Sequence, residues 1–137
     1  MANHVSGKVV VVTGAASGFG RLVCRKTAAL GARVVCADVN GGGLDETVRS
    51  IESAGGKATA RVTDVRRLAD MQALAKHAID RFGAIDVMVN NAGIMPLAFF
   101  ADHARAADAW DRCIDINFKG VLNGIVAVHD QMIAQGR

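Results

Sequence analysis

Tyrosine is absent from the 137 residues, proline occurs once, at Pro96, and aromatic residues make up 4%. The missing phenol removes a common general acid. Cysteine is sparse: Cys24, Cys36 and Cys113 are odd in number, far apart and never paired as CxxC. With four scattered histidines, no metal-ligand spacing is visible and the pattern does not favour a disulfide framework. All three cysteines read as small buried hydrophobes, which favours a reducing compartment and hence the cytoplasm. No uninterrupted apolar run approaches the ~18 residues a membrane span needs. Met1-Ala2-Asn3-His4 also lacks the charged and apolar regions of a signal peptide.

Charge of either sign is unremarkable. Sixteen Lys+Arg against thirteen Asp+Glu leaves +3, spread without a basic block. A nucleic-acid partner would call for clustered Lys and Arg on one face, and none is found. Hydrophobic residues make up 51%, enough for a buried core and too many for disorder. The length of 137 residues reads as one domain over 1–137. Glycine is the abundant residue: fifteen, about 11% against a usual ~7%, suggesting tight backbone turns.

Apolar runs and helical periods alternate along the chain. Lys8-Val9-Val10-Val11-Val12-Thr13 is a β-branched run ended by Gly14, a strand buried on both faces. Phe19, Leu22, Val23 and Leu30 recur at helical spacing until Gly31. Arg33 to Asp38 reads as a second strand. Leu44, Val48 and Ile51 mark a second helix closed by Gly55-Gly56. A weaker third strand covers Lys57 to Thr63, with Ala58, Ala60 and Val62 alternating. Leu68, Met71, Leu74, Ala78 and Phe82 stripe a third helix, and Ile85 to Val89 form a fourth strand. After Pro96 one long helix is expected from about Ala107 to Gln135. No linker or repeat interrupts the chain beyond Gly41-Gly42-Gly43. Such alternation implies parallel strands joined by right-handed crossovers. The expected class is α/β, a Rossmann-type doubly wound parallel sheet with four βα units.

The first strand–helix turn reads Thr13-Gly14-Ala15-Ala16-Ser17-Gly18-Phe19-Gly20. Gly14 suits a sharp strand exit, Gly18 a close approach of main chain to a diphosphate, and Gly20 a tight helix–sheet contact. An anion there would meet the helix N-terminus, and Ser17 can add a hydroxyl. A glycine motif alone is weak, and an ordinary βα turn is the bland alternative. Asp38 ends the second strand 24 residues after Gly14, near the ~20-residue offset of a ribose-binding acid. Its carboxylate can accept from both ribose hydroxyls and would repel a 2′-phosphate. Val39 follows it, Ser17 precedes Gly18, and Arg33 begins the strand at the wrong end, so no basic residue answers that phosphate. NAD is therefore expected over NADP. The alternative is a loop or helix-capping acid.

At this point the chain resembles the short-chain dehydrogenase/reductase family. Thr13-Gly14-x-x-x-Gly18-x-Gly20 looks like that family's nucleotide loop, and Asn90-Asn91-Ala92-Gly93 stands at the fourth strand's end, where the family carries it. Asp64-Val65 matches its adenine-contacting pair, and Ile116-Asn117-Phe118-Lys119-Gly120 resembles the segment holding its helix asparagine. The four motifs occur in family order over essentially the whole chain. Phe19 departs from the usual Ile or Leu and is expected to pack under the helix. The resemblance implies that Asn90, Ala92 and Gly93 lie along the path to the nicotinamide. Asn117 would hold a water in a proton relay.

Read from spacing alone, Asn117 falls on an apolar stripe of Trp110, Ile114, Val121, Ile125 and Met132. A core-facing amide must be hydrogen-bonded or it costs about 1–3 kcal/mol. Asn117 is then either a satisfied core amide or the relay residue. The family's Tyr-x-x-x-Lys and Ser are not found here. Asp102 and His103 read as a solvated loop, His129 as packed or half-exposed, and His77 as surface. The 137 residues are therefore expected to be the N-terminal, cofactor-binding half of a longer enzyme, binding cofactor without turnover by themselves. The parent would act on a small alcohol or ketone, its substrate identity unread. It would form a homo-oligomer when full-length, and Ile94 to His103 would be an apolar loop near the substrate. The rival reading is a non-catalytic dinucleotide-binding or interaction module.

Overall fold

A computed structural model of the chain describes residues 4–136. The readings placed on Met1–Asn3 and on Arg137 lie outside these residues. Strand β1 (Val9–Thr13), helix α1 (Gly18–Ala29), β2 (Arg33–Asp38), α2 (Gly41–Ser53), β3 (Lys57–Val62), α3 (Leu68–Phe82) and β4 (Val87–Val89) follow in order. Helices α4 (His103–Ile114) and α5 (Gly120–Gln135) complete the chain, joined by a π-type turn over Asp115–Lys119. The four strands are parallel in the order β3-β2-β1-β4.

Alternation along β1 and β2 builds two cores. Val9, Val11, Val35 and Ala37 point to one face and pack on Met71, Leu74 and Ala78 of α3 and Val128 of α5. Val10, Val12, Val34 and Cys36 point to the other, against Cys24 and Ala28 of α1 and Leu44 and Ile51 of α2. Each fully buried Val contributes about 1.5–3 kcal/mol relative to exposure. That explains why the run of four valines becomes the central strand. Register sets the strand ends level, with Val12 opposite both Cys36 and Val89, and Asp38 opposite Val62. Gly14, Asp38, Thr63 and Asn90 thus leave the sheet along one rim.

Several sequence expectations are corrected here. The buried face of α1 is Gly20, Cys24 and Ala28. Because these residues are small, α1 lies close to the sheet and its bulky residues are left at the flanks, with Leu22 and Leu30 exposed. Phe19 does not pack under the helix; it is 81% exposed. Val62, expected on the inner side of β3, is exposed as well. Strand β4 begins at Val87, since Asp86 turns its carboxylate back to accept from the Val9 amide at 2.8 Å. Asp102 and His103 open a helical segment instead of a loop, and His129 is exposed.

The final helical run starts at His103, earlier than expected, and is not one regular helix. In the π-type turn the Gly120 N–H donates to Asp115 O, five residues back. One inserted residue rotates all that follows by about 100°. The stripe through Ile114, Val121 and Ile125 is therefore broken: Ile114 and Ile125 are about half exposed, and α5 buries Gly120, Gly124 and Val128. No helix among the described residues is long and apolar enough to cross a membrane.

Candidate functional site

The rim encloses a cavity of about 620 Å³ lined by Gly14, Ser17 to Gly20, Asp38, Val39, Thr63 to Arg66, Asn91 to Ile94, Arg112 and Ile116. Gly14 (φ +68°) and Gly18 (φ +51°) hold angles that favour glycine. A Cβ on Gly18 would meet nothing within 4 Å, so the main chain there lies open to a ligand. Gly20 is the opposite case: its Cβ would stand 2.6 Å from the Gly14 carbonyl carbon and 2.7 Å from Asn91 Nδ2. The first lets a ligand approach and the second lets α1 approach. Ser17 caps α1 without a side-chain hydrogen bond, and no acidic residue stands in the first turn. The unpaired first N–H groups and the positive dipole end therefore face the cavity with no internal anion to satisfy them.

The loop is fixed from behind. Ala15 N–H donates to Ala37 O at 3.0 Å. Thr47 Oγ1 donates to Ala15 O at 2.8 Å, and Arg21 Nη2 donates to Ala16 O at 2.5 Å and to Glu46 Oε2 at 2.9 Å. Asn91 Nδ2 donates to Thr13 O at 2.9 Å, while the Asn91 and Ala92 amides both donate to Thr13 Oγ1 at 3.1 Å. Arg21 and Thr47 were missed by sequence reasoning, because only tertiary contact brings them to the loop, while Thr13 and Asn91 were quoted within their motifs without a role of their own. Asn91, second residue of the Asn-Asn-Ala-Gly motif, was within reach of that reasoning.

Asp38 is half-buried at the cavity wall. Its Oδ2 accepts from the Ala16 amide at 3.0 Å and its Oδ1 from the Asn40 amide at 3.0 Å. Each oxygen keeps a lone pair for a ligand hydroxyl. Helix α2 is capped by Asn40, whose side chain accepts from Gly43 N, and Asp38 is not the cap. Arg33 sits at the far end of the strand, donating to Phe82 O and Gly7 O. Val39 is exposed at the cavity wall.

Asp64 and Val65 follow β3. Arg66 grips the Asp64 carboxylate, Nη2 donating to Oδ2 at 2.6 Å and Nε to Oδ1 at 2.9 Å. Hydrogen bonding from Arg66 holds the Asp64 carboxyl below the usual carboxylate range. Val65 is buried where a Gly120 Cβ would stand 2.7 Å from its Cγ2, and its carbonyl accepts from Asn123 Nδ2 at 2.8 Å. Asn90 lies against Gly124 of α5 instead of lining the cavity, its Oδ1 buried without a hydrogen-bond partner among the described residues. Ala92 and Gly93 do line it.

Asn117 corrects a further expectation. It is exposed, in the π-type turn, and not on a core stripe. Its Oδ1 accepts from the Ile94 amide at 2.8 Å, and its Nδ2 donates to Ile94 O at 2.7 Å and Cys113 Sγ at 3.4 Å. Both ends of the amide thus help to hold the loop after β4. Cys113 is correspondingly half-buried and not a core residue, unlike Cys24 and Cys36.

The arrangement suits a dinucleotide: an open helix N-terminus for a diphosphate, a positioned carboxylate for a ribose diol, and a cavity running on either side of β1. Comparison with known proteins agrees. The family model described as short chain dehydrogenase matches residues 8–137. An uncharacterized oxidoreductase of Listeria monocytogenes is 40% identical over 131 residues, 96% of this chain and 52% of the relative. A short-chain dehydrogenase/reductase from Burkholderia phymatum, solved in complex with NAD, superposes with TM-score 0.92 at 36% identity, covering 100% of this chain and 48% of that one. A metagenomic short-chain oxidoreductase in complex with NADP reaches TM-score 0.85 at 35% identity, covering 99% of this chain and 61% of that one. The chain thus spans about half the length of the curated relatives it matches. With four-stranded parallel topology, glycine loop and family model in accord, the chain belongs to the short-chain dehydrogenase family.

Proposed function

We propose that the protein is an NAD-dependent oxidoreductase transferring a hydride between the nicotinamide and the carbinol or carbonyl carbon of a small alcohol or ketone. The cofactor supplies the hydride acceptor or donor when bound. The chain's own residues bind and orient it. Main-chain N–H groups of Ser17 to Gly20 receive the diphosphate, and Asp38 receives the adenosine ribose. Asp64 and Val65 form the adenine end, and Ala92 and Gly93 line the path to the nicotinamide. Asn90 contributes from behind, by setting α5 against the end of β4. Asn117 serves the reaction end by ordering the loop at Ile94. The group that moves the hydroxyl proton is not among the residues given these roles, and the chain holds no tyrosine to supply a phenol.

One observation carries the cofactor preference: Asp38 is a carboxylate anchored by two main-chain amides, with Ser17 and Val39 rather than basic residues beside it. A 2′-phosphate would meet that charge at contact distance, and like-charge juxtaposition costs several kcal/mol. The exposed aliphatic side chains Leu122, Ile125 and Val126 of α5 fit a partner surface in a homo-oligomer, and the free buried Cys24 and Cys36 fit a reducing cytoplasm. The test is absorbance at 340 nm with full-length protein, each coenzyme and a panel of alcohols and ketones. Turnover with NAD and little with NADP is expected. Coenzyme binding without turnover on any substrate would favour a non-catalytic module, and preference for NADP would refute the reading of Asp38.

A further inference from the structure

We propose that the flank between β3 and α3 is an anion site separate from the dinucleotide cavity, where Arg61 and Arg81 grip one phosphate group over the Thr59–His77 pair. None of these four residues lines the cavity. The sequence alone makes His77 a surface residue; it is half-buried, with Nε2 3.0 Å from Thr59 Oγ1. Alternation explains how the four meet. Ala58 and Ala60 of β3 pack on the core shared with α1 and α2. Thr59 and Arg61 therefore project to the opposite face, which α3 covers. On α3, His77 and Arg81 are four residues apart and share one side of the helix.

The crossover helix runs back against the strand it follows, so the two arginines leave the Thr59–His77 level in opposite directions. Arg61 lies about 6.6 Å further along β3, toward the rim. Arg81 lies about 6 Å further along α3, away from it. Helical side chains lean toward the N-terminus, which returns Arg81 toward His77. Both cations act on His77: burial first, then Arg61 and Arg81, holds its ring below the usual histidine range, with Asp80 opposing. The Asp80 carboxylate is taken by Lys76 at 2.6 Å. Neither Arg61 nor Arg81 forms an ion pair among the described residues. Other charges on the elements packed against α3 are engaged or lie further off. Arg33 of β2 donates to Phe82 O and Gly7 O, Lys57 stands opposite it where β3 begins, and His129 of α5 pairs with Asp130. A cation in the last turn of α3 suits the helix dipole, which accounts for Arg81. It does not account for Arg61, which comes from another element. Two forked cations with no carboxylate between them fit a tetrahedral dianion, whose oxygens take charge-assisted hydrogen bonds from each. When His77 is protonated, its Nε2–H donates to Thr59 Oγ1 and leaves the hydroxyl hydrogen for the anion.

The test follows the His77 imidazole by NMR in full-length protein at neutral pH, with NAD present to fill the diphosphate site and ionic strength held constant with potassium chloride. Inorganic phosphate and glycerol phosphate are titrated in separately. A saturable response at His77 is expected, together with a rise in its pKa, since the anion stabilises the imidazolium. Arg61→Gln and Arg81→Gln should each weaken binding by about tenfold, and the double variant should abolish it. NAD affinity should be unchanged in all three, because neither arginine touches the cavity. Saturation by inorganic phosphate alone would support the site as one for the free anion; tighter saturation by glycerol phosphate would support it as one for phosphorylated small molecules. Saturation by neither would overturn the proposal. A response that potassium chloride reproduces, or one that survives in the double variant, would overturn it as well. Circular dichroism of each variant separates loss of the site from loss of fold. If NAD fails to bind wild type, the dinucleotide reading falls, while the same titration of coenzyme-free protein still decides the flank.

Discussion

Gly18 and Gly20 stand two residues apart in one loop, yet substitution by alanine should act through different physics. At Gly20 a Cβ would lie 2.6 Å from the carbonyl carbon of Gly14 and closer still to its oxygen. Both are main-chain atoms held by the sheet, so no side-chain rotation relieves the contact. Overpacking typically costs 1–3 kcal/mol, and a clash with backbone places Gly20→Ala at about 3 kcal/mol or more. At Gly18 the Cβ meets nothing within 4 Å, and only the positive φ of +51° opposes it. That strain is worth about 1–2 kcal/mol. The methyl would, however, stand in the space assigned to the diphosphate. Gly18→Ala should therefore stay folded and lose NAD affinity by about a hundredfold, some 2.7 kcal/mol. Gly20→Ala should lose stability first. Urea unfolding and calorimetric titration of both variants read the two effects. A Gly20→Ala protein within 1 kcal/mol of wild type would refute the close approach of α1. A Gly18→Ala protein with unchanged NAD affinity would refute the placement of the diphosphate.

Replacing Asp38 by asparagine keeps the shape and removes the charge, so the ratio of NAD to NADP affinity should fall by about tenfold or more; an unchanged ratio would count against charge as the selector. Asn117→Ala removes both amide bonds to Ile94, and hydrogen exchange at the Ile94 amide should accelerate while the melting temperature moves little; protection equal to wild type would contradict the stitch. His77, whose Nε2 lies 3.0 Å from Thr59 Oγ1, is held below the usual histidine range by burial first and then by Arg61 and Arg81. As pH falls below the ordinary 6.5 the unfolded chain takes this proton before the native one does, so stability should decline on acidification. His77→Gln should flatten that decline in urea titrations between pH 7 and 5, and an unaltered slope would remove His77 as its source.

Much of the fold was legible because the signals are local. The valine run of β1, the glycines at strand exits and the stripe of α3 each settle their element within a few residues. What was not legible depends on what an element meets. Bulky Phe19 and Leu22 look like a core face in isolation, yet small Gly20, Cys24 and Ala28 win it by letting α1 approach. The π-type turn has no local mark in the sequence, and it rotated the reading of every residue after Asp115. Asn117 was singled out, but its partner Ile94 lies 23 residues earlier and became visible only in three dimensions. Likewise Arg66, adjacent to the Asp64-Val65 pair, drew no attention until its fork to Asp64 was seen.

The most direct test is calorimetric titration of folded, full-length protein with NAD. A single saturable site is expected, weakened by Gly18→Ala and displaced by ADP-ribose in competition. Absence of heat and of competition up to millimolar coenzyme, in protein shown to be folded, would contradict the assignment of this rim to a dinucleotide.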